Sequence, residues 1–301
     1  MTTTPAAPAR LLPGLALAVI GAIAFSAKAI IVKLAYRYGA DAVTVIMLRM
    51  LFALPIFVLM AWWASRGKAP LSPRDWLSVV GLGFCGYYLS SMLDFAGLQY
   101  VSASLERLIL YLNPTLVMLL AWLLYRKKAS RRQVGGMALS YCGVVLVFGQ
   151  EMQLAGRQTA IGTALILASA VSYAVYMVYS EQLVKRLGAL RLVGLATSVA
   201  CVLAVLQYPL LRPLGAIAGI APQVLWLSLL NATLCTALPV LLVMMAIERI
   251  GPALSAQSGM VGPLATIMMG VLILGEPFTA WIAAGTVLVI AGIFVFSRAS
   301  R

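Results

Sequence analysis

The sequence has no histidine and little charge of either sign, and these absences exclude several classes of chemistry. Charged residues make up 10% of the 301 residues, whereas a soluble domain has about 25%. Without histidine the chain lacks the commonest metal ligand and the commonest proton relay. The four cysteines lie inside apolar runs without metal-ligand spacing, so we expect small apolar packing residues rather than a metal site.

Sequence motifs of enzymes are also missing. The chain has no Gly-Lys-Ser/Thr phosphate loop, no HExxH motif and no nucleophile elbow. An ATP-driven pump and a membrane metalloprotease are therefore disfavoured. We expect a protein that is not an enzyme and that uses no cofactor.

Apolar sequence is what the chain has in abundance. It is 63% hydrophobic, with a mean hydropathy of +1.01. Apolar runs of about 20 residues recur along its length, and each is long enough to cross a hydrocarbon layer of ~30 Å as a helix. The sequence therefore predicts an all-α integral membrane protein with ten transmembrane helices. We place the spans at about 12–36, 42–64, 75–98, 103–125, 133–150, 159–184, 189–211, 222–247, 252–274 and 279–297.

The chain also repeats itself. Residues 100–147 align without a gap onto residues 249–296, which places Pro114 on Pro263, and the glycine pair 136 and 143 on the pair 285 and 292. We therefore expect two five-helix repeats, residues 1–150 and 151–301. Because five is odd, the second repeat enters the membrane from the opposite side. Many carriers have this inverted plan, with the substrate site where the repeats meet.

Basic residues are distributed unevenly between the predicted loops. If both termini are cytoplasmic, the inward segments hold 15 basic residues and the outward loops hold four, namely Arg37, Arg107, Arg157 and Arg212. This excess follows the positive-inside rule and predicts cytoplasmic termini in a bacterial inner membrane. The net charge of +14 then orients the chain and meets anionic lipid, and it does not indicate a nucleic-acid partner.

Three charged residues inside spans lie at a similar predicted depth. These are Lys28, Arg49 and Asp94, and Asp94 shares a helix face with Tyr87 and Ser91. Charged groups in a bilayer usually face the bundle interior and pair with one another. One interpretation is a structural network in which Asp94 neutralises Lys28 or Arg49. The other gives Asp94 or Lys28 a part in gating or in binding the charged groups of a substrate.

The sixth span carries a polar and aromatic stripe. Tyr173 and Tyr176 share a face with Ser169 and Ser180, whereas Tyr179 points elsewhere. The stripe either lines a cavity for a small amphipathic solute or merely packs. Together with polar residues of other spans, the candidate substrate-binding residues are Lys28, Tyr87, Ser91, Asp94, Tyr111, Tyr173, Tyr176, Asn231, Gln257 and Ser258. The candidate hinges are Pro114, Pro239 and Pro263, because a mid-helix proline removes a backbone hydrogen bond.

The segment AGLQYVSASLERLILYLNP and its partner AIERIGPALSAQSGMVGP resemble the two halves of an EamA-type carrier of the drug/metabolite transporter superfamily. Arg49 and the Gly-Glu-Pro at 275–277 match the same pattern. The resemblance implies ten helices, a central cavity and export of a small metabolite, and the chain looks most like the YddG-type exporters of aromatic and other amino acids. Two departures argue against symmetric roles: Lys127 stands where Glu276 lies in the second half, and Ser198 where Arg49 lies in the first.

We therefore predict an inner-membrane carrier that exports a small solute, an amino acid by preference, through alternating access. It is expected to act as a monomer, with a dimer as the alternative. An exporter of another metabolite or a drug, a channel or facilitator that does not alternate, and a membrane enzyme or sensor remain as alternatives. Saturable flux that unlabelled solute on the opposite side stimulates distinguishes a carrier from a channel.

Overall fold

The computed structural model describes residues 8–126 and 130–299, and all regular structure in these two ranges is helical. Each predicted span overlaps a helical segment, and the ninth, predicted from residue 252, begins ten residues later, at Gly262. The segments are α1 (Pro8–Arg37), α2 (Ala42–Ser65), α3 (Pro73–Leu98), α4 (Ala103–Tyr125), α5 (Arg131–Ala155), α6 (Arg157–Leu187), α7 (Ala189–Leu211), α8 (Pro222–Ile250), α9 (Gly262–Leu274) and α10 (Ala280–Ala299).

Among the described residues, α1 to α8 are long and apolar enough to cross a membrane, and α9 and α10 contain shorter apolar stretches. An all-helical fold with several apolar helices of membrane-spanning length is thus confirmed, while the count of ten crossings stays a prediction. The helical backbone continues past α8 to Ser258 and through a 3-10 turn, Gly259–Val261, into α9. The chain nevertheless reverses there, because α1 contacts Ile250 near its start and Gly262 near its middle.

Helix irregularities lie at or next to all three candidate hinge prolines. In α4 the helix ends at Leu110 and restarts at Asn113, so Pro114 opens the second segment, where its missing N–H costs no hydrogen bond. Pro263 similarly opens the helix Gly262–Met269. Pro239 follows a π-helical stretch, Thr233–Ala237, inside α8. The breaks are structural facts, and their use as hinges stays a prediction.

Helices α5 and α10 are in close backbone contact through glycines. A Cβ atom on Gly136 would lie 2.6 Å from the carbonyl oxygen of Gly292, and one on Gly143 would lie 2.6 Å from that of Gly285. The two helices therefore run antiparallel with their backbones in direct contact. The seven-residue spacing places each glycine pair on one helix face, and the structure joins the two faces within the molecule.

The loops form two opposite faces, which we name after their acidic residues. The Asp41 face holds the turn between α1 and α2 and the start of α4, and Asp41 there accepts a 2.6 Å hydrogen bond from the Arg212 guanidinium after α7. The Asp75 face holds the turn between α2 and α3, where Asp75 forms an ion pair with Arg186. Between the faces lies a helical interior that contains five buried charged side chains.

Candidate substrate site

Lys28 is the centre of the buried charge. Its ammonium lies 2.5 Å from a carboxylate oxygen of Asp94 and 3.3 Å from one of Glu106, which brings α1, α3 and α4 together. All three side chains are buried, and Glu106 is 0% exposed. Of the two partners predicted for Asp94, the structure selects Lys28. Glu106 was not among the predicted site residues.

Arg49 lies in the same interior but is directed elsewhere. Its Nε donates a 3.1 Å hydrogen bond to the hydroxyl of Thr236 in α8, and its guanidinium packs over the ring of Phe95 at 5.2 Å. It forms no ion pair within the described ranges. Asp94 is in direct contact with Lys28, and its charge acts on Arg49 only from a greater distance.

Arg107 lies inside a helix and not in the outward loop to which it was assigned. We counted it among the outward loop residues, but it lies inside the first segment of α4 and is only 6% exposed. Ser102 caps this helix by accepting a hydrogen bond from the N–H of Leu105, so the helix begins at Ala103 and residues 106 and 107 are already one turn inside it. The Arg107 guanidinium donates a 2.8 Å hydrogen bond to the Ser26 hydroxyl of α1. The corrected outward loops hold three basic residues, which strengthens the charge asymmetry.

The stripe on α6 packs against α3. The hydroxyl groups of Tyr176 and Tyr87 are 3.1 Å apart, their rings form an edge-on pair at 5.1 Å, and Tyr173 stacks on Tyr176 at 5.5 Å. Tyr179 is 51% exposed, which confirms that it belongs to another face. Three predicted site residues therefore form one aromatic cluster. Whether this cluster lines a cavity or only packs stays open, as the sequence left it.

The remaining predicted site residues divide into two groups. Asn231 and Tyr111 lie near the charged centre: the Asn231 amide donates a 3.4 Å hydrogen bond to the Lys28 carbonyl oxygen, and the Tyr111 hydroxyl donates a 2.7 Å bond to that of Gly259. Ser91 is half-buried on α3, and the hydroxyl of Ser258 bonds back to its own helix at Leu254. The side chain of Gln257 lies outside the described residues.

Acidic residues tie the Asp41 face together. Glu276 accepts a 2.7 Å hydrogen bond from the N–H of Ala103 and a 3.0 Å bond from the Ser104 hydroxyl, which places its charge at the N-terminus of α4. Glu151 accepts a bond from the N–H of Ser102 in the same turn. The equivalent of Glu276 in the first half, Lys127, lies outside the described residues.

The contacts of Asp41 with Thr44 and Arg212 change the pKa of its carboxyl group. Partial burial acts to raise this pKa, but the hydrogen bonds from Thr44 and the charge of Arg212 outweigh it and lower the pKa below the ordinary value. Asp41 is therefore ionised at neutral pH, and it links α2 to the segment after α7.

The geometry suits binding of a charged or zwitterionic solute better than covalent chemistry. The centre contains the Lys28 ammonium, the Arg107 guanidinium and the two carboxylates, and the rings of Phe25 and Tyr111 pack against its cations. Within the described ranges, no group of three or more His, Cys, Asp or Glu residues is placed to hold a metal ion. Charged groups of both signs and aromatic rings are the kinds of side chain that orient small polar ligands in binding sites.

Comparisons with known proteins agree with this description. The EamA-like transporter family matches residues 12–149 and, a second time, residues 160–298. The uncharacterized transporter YcbK of Bacillus subtilis (strain 168) is 32% identical over 262 residues, which cover 85% of this chain and 84% of the relative. An uncharacterized transporter of Archaeoglobus fulgidus (strain ATCC 49558 / DSM 4304 / JCM 9628 / NBRC 100126 / VC-16) is 24% identical and covers 82% of this chain and 84% of its own length.

A solved crystal structure shares the fold, with a TM-score of 0.60 and 18% identity, and the match covers 95% of this chain and 96% of that one. The two family matches span nearly the whole chain, including the segments that carry Lys28, Asp94 and Arg107. The chain therefore belongs to the EamA-like transporter family, within the drug/metabolite transporter superfamily, and it is a membrane transporter rather than an enzyme.

Proposed function

We propose that the protein exports small metabolites, with amino acids as the preferred class, by alternating access as a secondary transporter. One observation carries the proposal, namely the buried centre in which Lys28, Asp94, Glu106 and Arg107 present both signs of charge. An amino acid has one positive and one negative group, so a centre of mixed sign can bind both ends. The aromatic cluster of Tyr87, Tyr173 and Tyr176 offers a surface for an apolar side chain.

The proposal includes an inverted architecture of two five-helix repeats, residues 1–150 and 151–301. The family matches the chain twice, once in each half. The glycine contact adds support: Gly136 meets Gly292 and Gly143 meets Gly285, and the offset that superposes the two halves converts either contact into the other. A two-fold relation between antiparallel α5 and α10 is what inverted repeats produce.

The location proposed is the bacterial inner membrane, with both termini and the Asp75 face on the cytoplasmic side, and the functional unit is a monomer. The excess of basic residues in the segments of that face supports the orientation. Hydrogen bonds join separate segments on both faces. On the Asp75 face Arg191 of α7 donates to Ser65 of α2, and on the Asp41 face the N–H of Ala103 donates to Glu276. Alternating access requires the bonds of one face to break when that face opens, and those of the other face to break when the other opens.

Counterflow in proteoliposomes tests the transport proposal. Vesicles that contain the purified full-length chain are loaded with unlabelled amino acids and diluted into labelled phenylalanine. We expect labelled solute to enter transiently, to saturate with concentration and to require the internal solute. Flux that neither saturates nor responds to the internal solute would indicate a channel. Counterflow only with sugars, nucleotide precursors or amines would replace the amino acid with another metabolite.

The aromatic cluster is tested separately by substitution. Tyr173→Ala and Tyr176→Ala should change the relative counterflow of aromatic and aliphatic amino acids, because these rings are proposed to contact the solute. Tyr179→Ala is the matched control, since this tyrosine lies on the same helix but is half-exposed. If all three variants show the same small effect on selectivity, the cluster only packs.

A further inference from the structure

The five buried charged side chains of the helical interior carry more positive than negative charge. Lys28, Arg49 and Arg107 are cations, and Asp94 and Glu106 are the only anions among these five buried side chains. Lys28 contacts both carboxylates. All eight acidic residues of the chain lie in its described part, and none forms an ion pair with Arg107. The charge of the neighbouring Glu106 acts on Arg107 from a distance, but no carboxylate of the described residues accepts a hydrogen bond from its guanidinium. A buried guanidinium without a directly bonded carboxylate can take one from a ligand at some stage of the cycle.

The hydrogen bonds of Arg107 are also incomplete. A guanidinium has five N–H donors, and the neutral hydroxyl of Ser26 accepts one of them. Its Nε is buried and has no partner within the described ranges. The rings of Phe25 and Tyr111 pack against the guanidinium at 5.4 and 5.3 Å, and the Tyr111 hydroxyl lies close enough to interact with it, whereas Nε remains unused.

The cover over Arg107 is built from irregular backbone. Tyr111 occupies the break in α4, and its hydroxyl bonds to Gly259 in the 3-10 turn that leads into α9. A Cβ atom on Gly262 would lie 2.6 Å from that hydroxyl and 2.7 Å from the Arg107 guanidinium. The cover thus closes tightly here because residue 262 is glycine. Helix breaks on both sides allow it to move without disturbing a regular helix.

We propose that Arg107 binds the carboxylate of the transported solute when the cover formed by Tyr111 and Gly259–Gly262 opens. A guanidinium matches a carboxylate in shape and can donate two parallel hydrogen bonds to it. Lys28, which the sequence suggested for substrate binding, is occupied by Asp94 and Glu106. This assignment rests on the proposed function and narrows the substrate class to solutes with a carboxylate beside an apolar or aromatic group.

Ligand-dependent thermal unfolding of the full-length protein in lipid nanodiscs tests the site without requiring transport. The probes are phenylacetate, phenylacetamide and chloride at matched ionic strength. We expect phenylacetate to raise the unfolding midpoint and the other two to leave it unchanged. Equal stabilisation by the amide would overturn the carboxylate assignment, and equal stabilisation by chloride would reduce the site to general anion binding. No stabilisation by phenylacetate would also overturn it.

Substitutions locate the response. Arg107→Gln should weaken the apparent affinity for phenylacetate by at least about tenfold, as expected for loss of a charged hydrogen-bond donor, and Arg107→Lys should keep part of it. Arg49→Gln is the matched control, because it removes another buried guanidinium that forms no ion pair among the described residues. If Arg107→Gln does not fold, Arg107→Lys and the wild-type comparison of acid with amide still decide. A response that persists in Arg107→Gln or disappears in Arg49→Gln would overturn the proposal.

The two proposals fail in different ways. If phenylacetate stabilises the protein through Arg107 but no amino acid shows counterflow, amino-acid export is wrong and the carboxylate site stands. If amino acids show counterflow, and phenylalanine and its amide exchange equally well in the wild type and in Arg107→Lys, export stands and the role of Arg107 is wrong.

Discussion

At the scale of single residues, the ion pairs of Lys28 with Asp94 and Glu106, here called the Lys28 triad, show which buried contacts the sequence can and cannot predict. The depth of Lys28 and Asp94 in their spans predicted that they could pair, and they do. Glu106 and Arg107 fall inside the predicted fourth span, but Glu106 was not singled out and Arg107 was counted with the outward loop before it. The cap at Ser102 was the available signal: a serine before an amphipathic segment starts a helix at the next residue, which places both residues inside.

The triad also predicts an unequal response to neutralisation. Asp94→Asn and Glu106→Gln each leave one ammonium with one carboxylate, whereas Lys28→Met leaves two buried carboxylates together. Removing the only partner of a buried charge costs about 3–5 kcal/mol, so Lys28→Met should lower the free energy of unfolding most. Chemical denaturation in detergent micelles measures the order. Equal losses in all three variants would contradict the shared pairing.

Helices meet closely where glycine permits it. The seven-residue spacing in α5 and α10 was readable in the sequence because it places glycines on one helix face, but the identity of the partner helix was not. Glycines on one helix face indicate that another helix packs closely against it, and the structure shows which helix this is. The sequence likewise predicted a helix irregularity at Pro114, whereas the structure places the break at Tyr111–Leu112, just before the proline.

Neighbouring glycines in α5 provide a matched test. In Gly136→Ala the new Cβ would lie 2.6 Å from the Gly292 oxygen and 2.8 Å from the Phe296 nitrogen, so the helices must separate, at a cost of about 1–3 kcal/mol. At Gly135 nothing lies within 4 Å, so Gly135→Ala should be neutral or stabilising by up to about 1 kcal/mol through helix propensity. Thermal unfolding midpoints of the two variants should therefore move apart. Similar midpoints would show that α5 and α10 are less closely packed.

At the scale of the whole molecule, hydropathy predicted the helical segments and the repeat predicted two related halves. What the sequence left open was which helices adjoin, because apolar surface alone does not select a partner in lipid. The polar contacts make that selection: Ser26 bonds to Gly262, Asn231 to Lys28 and Arg191 to Ser65. These contacts join residues far apart in the chain, and no local pattern encodes them.

The orientation of the two faces is open to chemical labelling. In a variant with the four native cysteines replaced, Arg66→Cys on the Asp75 face should react with a membrane-impermeant maleimide only from the cytoplasmic side. Gly215→Cys, which follows α7 beside the Asp41 face and has free space around it, should react only from the periplasmic side. The excess of basic residues is the reason for this assignment. Reversed labelling would show that the protein has the opposite orientation in the membrane. Labelling of both residues from one side would show that the two faces are not on opposite sides of the membrane.

The glycine contact between α5 and α10 has a mechanical consequence. Under the proposed two-fold relation its two halves exchange with each other, so the rotation axis passes between them. Because backbone lies directly against backbone there, sliding the two helices past each other would meet steric contacts at all four glycines. We therefore expect α5 and α10 to move as one rigid unit during transport.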